Sequence, residues 1–228
     1  MRTTVIALAA LLYPALGRAH DFWVERAGEE FTVRYGHRGG EILPIDGAKL
    51  KAVRCAEPDG AQKDVRAAAR LSSKEVRFTD RCEAVAVFHD GGTWSLTPDG
   101  EVNLPRTKAH DVVKAWESRQ FAKWIDVHSA RASTVMGEEL EIVPVTDLGG
   151  KKDGDKATFK VLSRGKPVSG AVVVVDHQPL GETDSGGEVR LRLRGPIDTV
   201  ETSIRRPLQS PDAEVVVLEA SLTFEVSK

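Results

Sequence analysis

Short β-strand patterns separated by turn residues fill the second half of the chain, and they constrain the fold more than any other feature. Gly, Pro and Asp recur at short intervals in GEELEIVPV, ATFKVLSRGKPVSGAVVVVDH and GETDSGGEVRLRLRG. The closing stretch EASLTFEVSK alternates at Leu222 and Phe224. Several strands at this spacing are typical of a β-sandwich. We therefore expect a C-terminal β-sandwich over residues 138–228.

The first half of the chain also favours strands. Residues 30–35 alternate between apolar and polar side chains, as a half-buried strand does. Further short candidates are Leu50–Cys55, Val76–Phe78, Ala84–Phe88 and Thr93–Leu96. The segment His89-Asp90-Gly91-Gly92 carries the Asp-Gly pair of a tight hairpin between the last two candidates. An N-terminal β module over residues 20–110 follows.

One segment departs from the strand pattern. Between residues 112 and 128 the apolar side chains fall closer to a helical period than to a strand period, and Asp111 is a plausible N-cap. These side chains are Val113, Trp116, Phe121, Trp124 and Ile125. The sequence thus predicts a mainly β fold, in which a helix and linker at residues 111–137 join two β-sandwich-like modules.

The first nineteen residues have the pattern of a secretory signal. A positive charge at Arg2 precedes a short apolar run, Val5–Leu12, and small residues occupy positions three and one before a cut after Ala19. The run is far shorter than the ~20 residues that a membrane span needs. We expect a periplasmic mature chain that begins at His20. Its compartment is oxidising, so Cys55 and Cys82 are predicted to form a disulfide.

Composition and motifs exclude several classes of function. Hydrophobic residues make up 41% of the chain and charged residues 29%, which favours a globular protein over a disordered one. Removal of Arg2 and Arg18 with the signal takes the net charge from −2 to −4, which argues against a nucleic-acid partner. The sequence contains no GxSxG, Walker, HExxH or GxGxxG motif, and we expect no enzyme.

The histidines are the main chemical resource of the chain. Cleavage before His20 would free an α-amine, which can chelate one metal ion together with the imidazole Nδ1 atom of the same residue. Imidazole suits nickel, copper, zinc and related ions. The apolar residues Phe22, Trp23 and Val24 follow at once and could anchor this terminus.

Two further histidines are candidate ligands. His37 follows a strand within RYGHRGGE, where glycines allow its side chain to turn toward a site. His128 ends the predicted helix beside Trp124, where a core role competes with metal ligation. His20, His37 and His128 are thus the predicted metal ligands. His89 is expected to be exposed in its hairpin turn, and the roles of His110 and His177 stay open.

The motifs also resemble a known family. The segment His20-Asp-Phe-Trp after a signal, the pair Gly36-His37 after a strand, and a module GKPVSGAVV…TDSGGEVRL ending in SLTFEV are similar to periplasmic nickel/cobalt-uptake components. That family is a domain of unknown function linked to nickel or cobalt transport. The resemblance implies a non-catalytic, metal-binding protein with an immunoglobulin- or transthyretin-like C-terminal sandwich, in which His20 and His37 hold the metal.

Three functions follow from these features. The first is capture of Ni²⁺ or Co²⁺ for delivery to an inner- or outer-membrane transporter. The second is a Cu²⁺ histidine-brace oxidase of the polysaccharide monooxygenase type, which uses an N-terminal histidine and a second histidine on a β-sandwich. The third is a metal-free interaction module in which the histidines are incidental.

Overall fold

A computed structural model describes residues 20–195 and 197–227, with the backbone alone described at residues 197 and 198. The predicted signal segment, residues 1–19, lies outside the described residues. The described part of the chain is mainly β, with three short 3₁₀ turns. Its strands are β1 (Asp21–Ala27), β2 (Glu30–Gly36), β3 (Leu50–Ala56), β4 (Gln62–Asp64), β5 (Arg70–Leu71), β6 (Glu75–Thr79), β7 (Ala84–Thr97), β8 (Gly100–Val102), β9 (Lys114–Ile125), β10 (Glu141–Pro144), β11 (Lys156–Ser163), β12 (Lys166–Pro167), β13 (Val172–Val175), β14 (Gln178–Glu182), β15 (Glu188–Arg192), β16 (Ile197–Pro207) and β17 (Val215–Glu225).

These strands form three sheets. The first small sheet has the order β1-β2-β6-β5, and the second has the order β10-β11-β12, with β15 also paired with β11. A nine-stranded sheet has the order β14-β13-β16-β17-β9-β7-β3-β4, with β8 beside β7. The large sheet therefore contains strands from both halves of the sequence, and β9 and β17 join the halves as a parallel pair.

The two small sheets cover opposite faces of the large sheet. Val85 of β7 and Trp124 of β9 belong to an N-terminal core with the first small sheet. The neighbouring residues Ala84 and Phe121 belong to a C-terminal core with the second small sheet. Because successive side chains of a strand point to opposite faces, one pair of strands serves both cores. The expectation of a mainly β fold with β-sandwich-like sheets is confirmed, and the two cores share the large sheet.

The prediction of a connecting helix at residues 111–137 is wrong. Residues 114–125 form β9, which pairs with β7 on one side and β17 on the other. Asp111 has a φ of 52°, which is unlike the extended backbone of an N-cap. Residues 120–125 are all buried, since both faces of β9 are covered. A strand buried on both faces loses its alternating pattern, so its apolar spacing can match a helix by chance.

The predicted hairpin at residues 89–92 is also wrong. β7 runs without a turn from Ala84 to Thr97, and its pairing with β9 shifts register between Asp90 and Gly92. Gly92 has a φ of 79°, and the Asp90 side chain accepts a hydrogen bond from its N–H. The Asp90-Gly91-Gly92 segment therefore makes a β-bulge, in which Gly92 has the positive φ that glycine adopts readily.

The predicted disulfide between Cys55 and Cys82 is confirmed. Their Cα atoms are 5.3 Å apart, and both residues are buried in the N-terminal core. The bond ties β3 to the loop that precedes β7 across 27 residues of sequence. No helix among the described residues has the length and apolar character to cross a membrane.

Candidate functional site

Strand β1 brings the first two predicted ligands together. Its antiparallel register with β2 places Asp21 opposite Gly36, so His20 and His37 lie side by side beyond the end of the pair. Their ring centroids are 5.0 Å apart. Gly36 has a φ of 137°, and a Cβ atom there would lie 2.3 Å from the Glu41 carbonyl oxygen. Only glycine fits this turn, which fixes where His37 stands.

The two imidazoles differ in their surroundings. His20 is exposed, and its Nδ1 atom lies 3.0 Å from the Tyr35 hydroxyl. Partial burial and the neighbouring His37 lower the pKa of His20 below 6.5. The Nδ1 atom of His37 is buried and has no hydrogen-bond partner among the described residues. A buried nitrogen without a partner is costly unless something binds it, and a metal ion is one such partner.

A third histidine reaches this cluster from the C-terminal half. His177 lies in the two-residue turn between β13 and β14, where Val175 pairs with Gln178. Asp176 and His177 have φ values of 50° and 60°, as a type I′ turn requires. The His177 Nε2 atom lies 3.6 Å from a carboxylate oxygen of Asp21. Its ring centroid is 6.4 Å from that of His37.

Sequence reasoning left His177 open, although VVVVDHQPLGE carried a usable signal. A two-residue loop between apolar strands favours Asn-Gly or Asp-Gly, because both residues take positive φ. Histidine in the second position of such a loop is unusual, and unusual backbone strain is often found at functional sites. What the sequence could not give is the direction in which this hairpin points.

Two carboxyl groups accompany the histidines. Asp21 is buried, and one of its oxygens accepts a hydrogen bond of 2.9 Å from the Arg38 N–H. Glu201 of β16 makes no hydrogen bond or ion pair with another described residue. Ligand atoms of Asp21, His177 and Glu201 all lie within 4.8 Å of one another. Burial and then the charge of Asp21 raise the pKa of Glu201 to about 8.

A hydrogen-bonded series of buried or half-buried polar side chains, His89, Gln120 and Glu219, lies next to this cluster. His89, predicted to be exposed, is only 6% exposed, because the bulge keeps it inside β7. Its Nδ1 atom is 3.0 Å from Oε1 of Gln120, whose amide nitrogen donates to Glu219 over 2.9 Å. Burial lowers the pKa of His89 and raises that of Glu219. Burial, together with Glu219, also raises the pKa of Tyr35 to about 12, so this phenol stays protonated.

An apolar cavity of about 400 Å³ opens beside the histidines. The N-terminal core covers β9, β7 and β3, and β1 lies against β9 and β17 at the rim of that cover. Beyond β1, no second sheet of the described residues covers the same face of β17, β16 and β13, and the cavity lies over this uncovered face. It is lined by His20, Asp21, Phe22, Gln120, Phe121, Val172, Val174, His177, Pro179, Glu201, Thr202, Ser203, Glu219, Ala220 and Ser221.

The structure does not bring His128 to His20 and His37. His128 follows β9 and lines a separate cavity of about 390 Å³ with Arg26 and Asp126. That cavity lies at the other end of β1, and a seven-residue strand spans roughly 20 Å. The observed cluster is therefore His20, His37 and His177.

Comparisons with known proteins identify relatives of unknown function. A family model described as a domain of unknown function (DUF4198) matches residues 17–196. An uncharacterized protein of Haemophilus influenzae is 27% identical over 192 residues, which cover 82% of this chain and 81% of that protein. Among solved structures, the fibronectin(III)-like modules of Clostridium thermocellum CbhA align over 91% of this chain and 94% of theirs, with 10% identity and a TM-score of 0.25. At this TM-score the alignment adds nothing to the description of the fold.

Proposed function

The chain belongs to the DUF4198 family, a domain of unknown function, and we propose that its mature form is an exported metal-binding protein. It captures Ni²⁺ or Co²⁺ at His20 and His37 in the periplasm and delivers the ion to a membrane transporter. The observation that carries this proposal is the meeting of His20, His37 and His177 at one end of β1.

The geometry of the first two imidazoles suits a shared ion. Two imidazole nitrogens bound to one ion at ~2.0–2.1 Å place their ring centroids about 5 Å apart. The centroids of His20 and His37 are 5.0 Å apart. The Nδ1 atom of His37, buried without a partner among the described residues, would gain one on metal binding. His177, slightly farther away, is placed to approach as a third ligand.

Chelation by the amine and Nδ1 of His20 requires one local exchange. The Nδ1 atom of neutral imidazole has a single lone pair when it acts as an acceptor, and here it faces the Tyr35 hydroxyl. An ion bound at Nδ1 must therefore displace that hydroxyl. The exchange keeps the ligand set open and replaceable, which suits a protein that must release its cargo as well as bind it.

The test is metal affinity measured by calorimetry, with the start of the chain as the variable. One protein begins at His20 and another carries an added Ala before it, which turns the amine into a weakly donating amide. We expect the extension, His20→Ala and His37→Ala each to weaken Ni²⁺ or Co²⁺ binding by ~10–100-fold or more. His128→Ala, in the distant cavity, is the matched control and should leave affinity unchanged.

The results separate the competing functions. Equal affinity with and without the added Ala would remove the amine from the ligand set. Loss of binding in His128→Ala alone would move the site to the other end of β1. No binding of any divalent ion would favour the metal-free interaction module. Such ligands generally bind Cu²⁺ more tightly than Ni²⁺ or Co²⁺, so tight copper binding alone does not distinguish the oxidase from the metal carrier. Oxygen-dependent oxidation of a polysaccharide by the Cu²⁺ form would favour the oxidase.

A further inference from the structure

The cavity beside the histidines is too large and too apolar to serve a metal ion alone. Its volume of about 400 Å³ falls in the range of small-molecule sites. Val172 and Val174 face it from β13, while Val173 and Val175 of the same strand point into the C-terminal core. Phe22 adds an aromatic wall from β1. None of these apolar side chains offers a ligand to an ion.

The polar part of this cavity is acidic and lacks a cation. Asp21, Glu201 and Glu219 all line it, and no lysine or arginine does among the described residues. Arg38 and Arg205 act on these carboxylates electrostatically. Within the described chain, however, neither arginine places a side-chain nitrogen within 4 Å of the three carboxylates.

The three carboxyl groups differ in what they bind. Asp21 accepts the Arg38 N–H, and Glu219 accepts the amide of Gln120. Glu201 has no such partner among the described residues. Acidic side chains in apolar surroundings are usually paired or coordinate a cation. The carboxyl group of Glu201, at the edge of an apolar space, is thus the group that a ligand would satisfy.

We propose that this cavity binds a small organic cation, with an ammonium group at Glu201 and an apolar or aromatic body along Phe22, Val172 and Val174. A neutral apolar molecule would fill the space but leave Glu201 without a partner. An organic anion would be repelled by the Asp21 carboxylate and would offer Glu201 no positively charged partner. The ligand would enter beside His177, so the site adjoins the metal cluster. The proposal nevertheless stands without bound metal.

The experiment compares two probes of the same shape on metal-free mature protein in the presence of a chelator. The ammonium form of 2-phenylethylamine carries the charge, and 2-phenylethanol replaces it with a hydroxyl. We expect calorimetry to show that the amine binds at least about tenfold more tightly, the difference that one charge-assisted hydrogen bond supplies. Glu201→Gln should remove that difference and leave the weak affinity for the alcohol.

Two further variants identify the place and the charge that matter. Val174→Trp fills the cavity from its floor and should abolish binding of both probes. Glu182→Gln removes an exposed carboxylate that does not line the cavity, and it should change neither affinity. Circular dichroism of each variant checks folding.

Three outcomes would overturn the proposal. They are absence of amine binding to the wild type, equal affinity for amine and alcohol, and an unchanged amine affinity in Glu201→Gln. Because the chelator removes metal throughout, none of these outcomes bears on Ni²⁺ or Co²⁺ binding at His20 and His37. Conversely, loss of metal binding in the His20 variants leaves this test unaffected.

Discussion

Two clusters of titratable groups lie on opposite faces of the nine-stranded sheet, and they differ in how their polar atoms are paired. On the C-terminal core face, Lys123 donates to the Thr134 carbonyl over 2.6 Å and lies 3.3 Å from Glu141. Glu141 also accepts the N–H groups of Met136 and Gly137. On the other face, Glu201 and the Nδ1 atom of His37 have no hydrogen-bond partner among the described residues.

The difference has a physical consequence for each cluster. A buried ion pair whose charged atoms each have a hydrogen-bond partner holds a structure in one arrangement. Lys123 and Glu141 pin the loop at residues 134–141 against β9 and need nothing more. Polar groups left without partners beside a cavity have capacity for a ligand. The first cluster is therefore structural, and the second is suited to binding.

The largest expected effect comes from breaking the structural cluster. Lys123→Ala leaves Glu141 buried without its cation, and we expect the free energy of unfolding to fall by about 3–5 kcal/mol. Urea denaturation measures this loss. Lys156→Ala, an exposed lysine on β11, is the control and should cost under about 0.5 kcal/mol. If both variants lose equal stability, Lys123 has no special structural role, and the contrast between the two clusters is contradicted.

Removing the disulfide should destabilise the chain without touching the binding groups. The double variant Cys55→Ala/Cys82→Ala removes a cross-link between residues 27 positions apart in the sequence. We expect a loss of about 2–4 kcal/mol in the free energy of unfolding. Nickel affinity of the still-folded fraction should stay within about twofold. A large loss of affinity would mean that the binding cluster depends on the rigidity of the N-terminal core.

Replacing Glu201 should raise the free energy of unfolding, whereas the two preceding variants lower it. The pKa of Glu201 is raised from 4.5 to about 8 by burial, with Asp21, Glu219 and Asp176 adding to the rise and Arg38 opposing it. Between these two pH values the folded chain holds a proton that the unfolded chain has released, so stability decreases as pH rises. Glutamine does not titrate, and Glu201→Gln escapes this loss.

We therefore expect Glu201→Gln to gain stability over the wild type as pH rises from about 4.5 to 8, and to reach about 1–3 kcal/mol at pH 9. Thermal unfolding across pH 5 to 9 measures the difference. Glu182→Gln, on the exposed hairpin, should show no such trend. A gain that shrinks with rising pH would mean that Glu201 is ionised and paired in the folded chain.

The smallest effect concerns the contact between Tyr35 and His20, with which a bound ion would compete. Tyr35→Phe removes the hydroxyl from the Nδ1 atom of His20 and leaves the ring in place. We expect Ni²⁺ affinity to rise about two- to tenfold, the equivalent of one hydrogen bond that no longer has to be broken. Calorimetry at constant pH checks this. A fall in affinity would instead make the phenol a supporting group for the bound ion.

Strands with one covered face were predictable from the sequence, and the central strand was not. β2 and β6 alternate in sequence because Phe31 and Val33 of β2 and Val76 and Phe78 of β6 pack in the N-terminal core. β9 is flanked by β7 and β17, and β17 lies about a hundred residues further along the chain. The sequence around β9 therefore does not indicate that β17 pairs with it. The Asp90-Gly91-Gly92 segment was equally ambiguous, since hairpin turns and β-bulges both favour a glycine of positive φ.

The site was half predictable for the same reason. His20 and His37 stood out through local features, namely a possible cut and flanking glycines, and the β1–β2 register brings them together. His177 and Glu201 join them only because β13 and β16 lie beside β17 in the large sheet. Such neighbours are a property of the tertiary fold, and one sequence does not reveal them.

The central place of β17 has a consequence for the order in which the chain can mature. β17 comes after the other sixteen described strands along the chain, yet it lies between β16 and β9, and its Ser221 hydroxyl donates to the Phe22 carbonyl over 2.6 Å. Until it arrives, β9 presents an open edge on which strands of other chains can pair. If the chain is exported N-terminus first, as proposed, His20 is exposed before β17 can complete the candidate site. Molecules whose export stops before β17 has folded would present His20 without the part of the cavity wall that β17 supplies.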